Sequence, residues 1–168
     1  MQSLESAEVI EQLGMPYIRA QSSFDELSDD VIYRLLDGGT ILKLNRGEYI
    51  ARFDEAVSDF QIILKGRLAY YKHWHDRDVL IRHFDIGNQV GFDEMIGLIN
   101  RDGTDVAIEE TLLLSISSEL FFELHVAYPG EFGVLMINLA RELSREIEVL
   151  EDVIRQGTGW AGQPGTGT

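Results

Sequence analysis

The residue types best suited to chemistry lie in one glycine-punctuated stretch, Gly91-Phe92-Asp93-Glu94-Met95-Ile96-Gly97-Leu98-Ile99-Asn100-Arg101-Asp102-Gly103-Thr104, between apolar, strand-like runs. Glycines at 91, 97 and 103 permit close backbone approach and positive φ. Glu94 and Arg101, seven residues apart, supply an acceptor and a cationic fork, the pair needed to recognise a hydroxyl and an anion together. The stretch reads as a ligand cassette. The alternative is a corner between strands in which Arg101 is neutralised by Asp102 or Asp105.

A second group is His73-Trp74-His75 with Asp76 and Asp78. Residues i and i+2 of a strand share a face, so both imidazoles could hold zinc or copper, with a third ligand from Asp76, Asp78 or His83. Without cysteine or a distant second pair, a polar hairpin tip is the reading adopted, and no metal is expected. No Gly-x-Ser-x-Gly element stands between a strand and a helix. The acid pairs Glu109-Glu110 and Asp29-Asp30 read as a solvated turn and a helix start. The chain is therefore not expected to be an enzyme.

Composition narrows the classes further. A chain of 168 residues that is 45% hydrophobic can bury one ordinary core. Its 29 acids against 14 Lys plus Arg leave a net charge of -15, which opposes the counterion release that drives binding to a phosphate backbone. No direct nucleic-acid contact is expected. The absence of cysteine excludes disulfides, thiolate-ligated clusters and thiol nucleophiles. Neither a signal-like N-terminus nor a membrane-length apolar run is present, so a cytoplasmic protein that does not cross a membrane is expected.

The elements that must position the cassette follow from patterning. Residues 3–13 make a short peripheral helix ended by Gly14 and Pro16, and Ser28 caps a second helix that Gly38-Gly39 stops. From Thr40 to Ile86, five short β-rich runs (Thr40–Leu44, Glu48–Phe53, Asp59–Leu64, Arg67–Trp74 and Val79–Phe84) predict an antiparallel sandwich or barrel. Gly47, Gly66 and Gly87 fall at the joints between runs, where positive φ is needed. One or two more strands are expected over Asp105–Ile116, with Glu109-Glu110 as a turn, and Ser117 caps the helix that follows. A long helix then runs from Pro129-Gly130 to about Gln156. Phe132, Leu135, Ile137 and Leu139 make its first half apolar nearly all round and set it on the β-core. A heptad seam of Met136, Ala140, Leu143, Ile147, Leu150 and Ile154 predicts a homodimer, with the second half reaching past the core. The Gly/Thr-rich residues 157–168 read as a disordered tail.

In this order the parts resemble the cyclic-nucleotide-binding domain superfamily, and within it the sensory half of the CRP/FNR regulators. The carriers are Phe24-x-x-Leu27-Ser28, Gly47-Glu48-x-Ile50, Ile62-Ile63-Leu64-Lys65-Gly66 and Ile86-Gly87-x-x-Val90-Gly91. The resemblance implies an α+β fold, an antiparallel β-roll (a jelly-roll-like double-stranded β-helix) with short N-terminal helices and a long C-terminal dimerisation helix. It divides the chain into a helical extension over 1–23, the domain over 24–156 and the tail. It also implies a module that senses cyclic AMP, cyclic GMP or another small anion and relays the state to a protein partner of unspecified identity, here expected to be stand-alone. The implied ligand set is Gly91, Phe92, Glu94, Arg101 and Thr104: Arg101 falls on the family's phosphate arginine, and Glu94 is the nearest residue to its ribose acid, displaced by two positions. Asn100 stands where the family has proline and Asp102 where it has a small residue. The helix-turn-helix domain of those regulators has no counterpart in the tail. The alternatives are a ligand-free dimeric interaction scaffold and the sensory half of a longer regulator.

Overall fold

The computed structural model describes residues 1–51, 57–75, 77–101 and 103–158, and the side chains of all of these except Ala51, Trp74, Gly157 and Thr158. Arg52 and Phe53 of the expected second strand, Asp76, Asp102 and residues 159–168 of the expected tail lie outside them.

Two antiparallel sheets form the body. One has the order β1 (Gln2–Leu4), β2 (Thr40–Leu44), β9 (Thr111–Ser117), β4 (Asp59–Lys65), β7 (Gln89–Val90); the other runs β3 (Tyr49–Ala51), β8 (Gly103–Ala107), β5 (Leu68–Trp74), β6 (Arg77–Phe84). β4 pairs with β9 in the first sheet and their continuations β5 and β8 pair in the second, so the paired chain rolls from one sheet to the other at residues 66–67 and 108–110. Gly66 makes that crossing possible: its φ is +88°, and a Cβ there would stand 2.5 Å from the Glu110 carbonyl. Glu109-Glu110 is the matching turn, and two strands flank it, as the sequence predicts.

The apolar runs of β4 and β9 are continuous because both faces are covered. Ile62, Leu64, Leu112, Leu114 and Ile116 join the core beneath the helices, while the intervening Ile63 and Leu113 join a smaller core inside the roll with Leu44, Leu68 and Phe84. Helix α3 (Asp29–Gly38) presents Val31, Ile32, Leu35 and Leu36 to the first core, and Ser28 caps it by accepting from the Val31 N–H. Ser117 does the same for α5 (Ser118–Ala127) through the Leu120 N–H at 3.1 Å.

Several expectations are corrected. The first helix, α1 (Ser6–Leu13), is not peripheral: Val9 on it and Ile18 on α2 (Met15–Arg19) are fully buried in the main core, and β1, too short to show a pattern, pairs with β2. A further helix, α4 (Phe92–Gly97), lies inside the cassette. The last helix, α6 (Pro129–Thr158), starts on its proline, where a missing N–H costs nothing, and ends close to the expected Gln156. Leu135 and Leu139 are fully buried, but Ile137 is 53% exposed, so the first half is apolar on one face rather than all round.

Candidate functional site

The cassette begins where β7 delivers the chain to Gly91, whose φ of +79° turns it into α4. Gly91 is required twice, because a Cβ there would also stand 2.2 Å from Arg101 Nη1. Gln89 fixes the turn by accepting from the Phe92 N–H at 2.9 Å. At the far end the left-handed residue is Leu98 (φ 53°) and not the expected Gly97; Gly103 also lacks positive φ. The glycine at 103 serves close approach instead, since a Cβ would meet the Tyr70 ring at 2.1 Å.

Arg101 is drawn inward to 5% exposure. Its Nη1 lies 3.0 Å from Glu94 Oε2 and 4.0 Å from Asp105 Oδ2. The closer contact is an ion pair by distance, but its N–H is not aligned for a hydrogen bond. Nη2 makes long contacts of 3.4 Å to the Asp59 carbonyl and the Gln61 amide oxygen. The acid and arginine singled out by spacing thus come together and face each other. Asp105, named above as an alternative partner, joins them; Asp102 is outside the described residues.

Glu94, Arg101 and Asp105 line a cavity of about 30 Å³ together with Tyr70, Arg82, Phe84, Val90, Gly91 and Asp93. That is space for about one water molecule. Phe92 does not reach it: its ring is buried and packs edge-on to Phe60 and Phe121 at centroid distances of 5.2 and 5.9 Å. Thr104 is half-buried on β8 and does not line the cavity. Of the five expected ligand residues, Gly91, Glu94 and Arg101 are assembled, while Phe92 and Thr104 are not part of the wall.

Sequence reasoning missed Arg82, and the signal for it was parity. Arg82 stands two residues before the buried Phe84 on β6, and its guanidinium lies 4.2 Å from that ring's centroid. It also holds Glu146 of α6 at 2.8 Å. The same parity puts Asp105 inward between Gly103 and Ala107, with a burial pattern that alternates along β8. Burial raises the Asp105 carboxyl to about 7, against the opposing pull of Arg101 and with a further upward push from Glu94. Glu146 is likewise raised by burial, with Arg82 opposing.

The long helix rests on the roll further than expected, and does so through polar groups. Asn88 donates to Glu142 at 2.7 Å, Gln89 donates to Glu146 at 3.0 Å, and Glu142 also pairs with Arg145. The expected dimer seam is consequently divided. Met136 and Leu143 pack partly against their own core, Leu150 is half-buried, and Ala140, Ile147 and Ile154 are exposed, the last two by 58% and 62%.

At the hairpin tip, His73 Nδ1 lies 3.1 Å from Asp78 Oδ1. His75 has left the strand with φ 54°, so the expected shared face of the two imidazoles does not form. Among the described residues no three His, Cys, Asp or Glu side chains are grouped to hold a metal, and no helix is long and apolar enough to cross a membrane.

No protein-family model matches the chain. Lysophospholipase NTE1 of Cryptococcus neoformans is 25% identical over 105 residues, which are 62% of this chain but 6% of that protein's length. Solved structures resemble it over much more. A cyclic nucleotide-binding domain from Methylobacillus flagellatus superposes with a TM-score of 0.79 at 17% identity, covering 97% of this chain and 91% of that one. The catabolite activator protein of Thermus thermophilus gives 0.67 at 18% identity over 81% of this chain and 62% of its own. The c-di-GMP responsive global regulator CLP of Xanthomonas campestris gives 0.69 at 15% identity, covering 78% and 65%. At these identities the likeness establishes the fold, the α+β roll of the cyclic-nucleotide-binding domains that CRP/FNR-type regulators share.

Proposed function

We propose that this chain, which has the fold of the cyclic-nucleotide-binding domains, is a regulatory module that senses a small anionic ligand at Arg101 and passes its state through α6 to a partner protein. The observation that carries this reading is Arg82, which walls the Arg101 cavity and at the same time grips Glu146 of α6 at 2.8 Å. A ligand shifts a conformational equilibrium only by its differential contacts with the two states. An anion on Arg101 supplies such a difference, because it must displace Glu94 and redistribute charge beside Arg82. The described arrangement is the closed, self-paired state: a pocket for a nucleotide needs about 300 Å³ or more, roughly ten times the present volume. Entry of cyclic AMP, cyclic GMP or a comparable anion therefore requires α4 and Arg101 to move apart.

The exposed part of the seam, Ile147 and Ile154 beside Leu150, is the surface through which two copies pair. The module acts in the cytoplasm as a homodimer, catalyses no reaction and does not bind nucleic acid itself. The cavity volume and the internal pairing of Arg101 favour a second reading, a ligand-free dimeric scaffold. The sensory half of a longer CRP/FNR-type regulator would use the same elements.

Thermal-shift titrations with cyclic AMP, cyclic GMP, c-di-GMP and small inorganic anions separate the readings. A ligand at 100 times its dissociation constant adds about 2.7 kcal/mol. The sensing reading expects one of these ligands to stabilise the wild type and not Arg101→Ala. No response to any of them leaves the scaffold.

A further inference from the structure

Arg82, Arg101 and Asp105 all line the small cavity, and each carries one buried polar atom without a hydrogen-bond partner: Nε, Nη1 and Oδ1 respectively. Three carboxylates withdrawn from solvent, Glu94, Asp105 and Glu146, share these two guanidinium groups. Arg101 lies closer to Glu94 than to Asp105, and Arg82 is committed to Glu146. Asp105, 2% exposed, is left as the surplus charge. The other groups on the packed elements do not relieve it: Asp93 on α4 adds repulsion, Tyr70 on β5 brings no charge, and the pair Glu142–Arg145 on α6 is internally balanced. A buried carboxylate whose nearest cation, Arg101 at 4.0 Å, lies closer to another acid is costly, and a cavity that admits about one water molecule has no room for a compensating organic cation. A proton is small enough.

We propose that Asp105 is a proton-binding site whose occupancy sets how firmly α6 is held on the roll. With Asp105 neutral, Arg101 stays on Glu94 and Arg82 stays on Glu146. When Asp105 gives its proton to solvent, its charge draws Arg82 Nε and Arg101 Nη1 across the cavity, and Glu146 loses the ion pair that pins the middle of α6. The carboxyl's position at about 7 puts the exchange in the neutral range, from about a tenth charged at pH 6 to about nine tenths at pH 8. The proposal rests on the reading that α6 is the output of this site, and names the proton as a ligand that reaches it without opening the pocket.

Hydrogen exchange on the full chain at pH 6 and pH 8, corrected for intrinsic rates, tests it. Protection of amides 142–156 should fall by about threefold or more between the two pH values, with the amides of α3 and β4 unchanged. Asp105→Asn, which keeps the shape but cannot ionise, should hold the pH 6 protection at both. Equal wild-type protection at the two pH values, or an Asp105→Asn profile that follows the wild type, overturns the proposal. Arg82→Gln should loosen 142–156 at both pH values. If it does while pH has no effect, the proton site alone fails; if it does not, α6 is not the output and both readings fall. Should Asp105→Asn not fold, a carbon-13 NMR titration of the wild-type aspartate carboxyls decides, since titration of Asp105 below pH 5 overturns the proposal.

Discussion

Replacing Asp105 by Asn should change the pH dependence of stability in a calculable way. The native carboxyl is raised by burial to about 7, while an unfolded aspartate titrates near about 3.9. The native state therefore binds the proton more tightly than the unfolded chain. Stability from this group is fully present below about pH 4 and is lost as pH rises through about 7. Across that window each pH unit costs about 1.4 kcal/mol. From pH 5 to pH 8 the titration spans about two units, so wild type should lose at most about 3 kcal/mol that Asp105→Asn does not. Any shift of Arg82 or Arg101 toward the charged carboxylate reduces this figure. Urea unfolding of both proteins at matched ionic strength, from pH 5 to pH 8, measures the difference directly, and all other titrating groups cancel in the comparison. The variant should be near wild type at pH 5 and the more stable protein at pH 8. A flat difference across the range, or a variant that is less stable at pH 8, would mean that the ionised carboxylate is already well served by its arginines, and the reasoning would be refuted.

Two further outcomes probe the site and the helix. Gly91→Ala forces a φ of +79° on an L residue and drives a Cβ to 2.2 Å from Arg101 Nη1; urea unfolding should show a loss of about 2–4 kcal/mol from backbone strain plus a disturbed buried pair, and a loss near zero would contradict the described turn. Charging the exposed seam with Ile147→Glu and Leu150→Lys should leave folded monomers by light scattering; an unmodified chain already monomeric at about ten times a weak micromolar dimer constant would remove the dimer reading.

Local chemistry made much of the fold legible. Ser28 and Ser117 cap helices within three residues of themselves, and Gly47, Gly66 and Gly87 adopt positive φ because the turn at each joint demands it. The runs of β4 and β9 announce strands because a doubly covered strand is apolar on both faces. Within the cassette, the spacing of Glu94 and Arg101 marked the two groups that meet, and the glycine at 91 marked the turn that lets them. Three-residue β1 left no such trace, and the local preference of glycine for positive φ points to Gly97, whereas the structure turns left-handed at Leu98.

Only the tertiary structure decided which charges share the cavity. Glu94, Arg101, Asp105 and Arg82 come from α4, the loop after it, β8 and β6, with Glu146 of α6 joined to them through Arg82, and the sheet pairing that brings them together is not encoded in any one segment. The same holds for the resting face of α6. A heptad pattern assigns Glu142 and Glu146 to solvent because glutamates are usually hydrated, yet Asn88, Gln89 and Arg82 lie beneath them and satisfy them. The sequence by itself determined the main helices and strands, their order and the acid and arginine of the cassette, since caps, turns and strand periodicity act over a few residues, but not the short β1, α2 and α4. The tertiary structure decided that the arginine is already paired and that, beyond the apolar contacts of its first half and Leu143, the helix is also held by Asn88, Gln89 and Arg82, because a buried charge is placed by whichever partners the fold brings within reach.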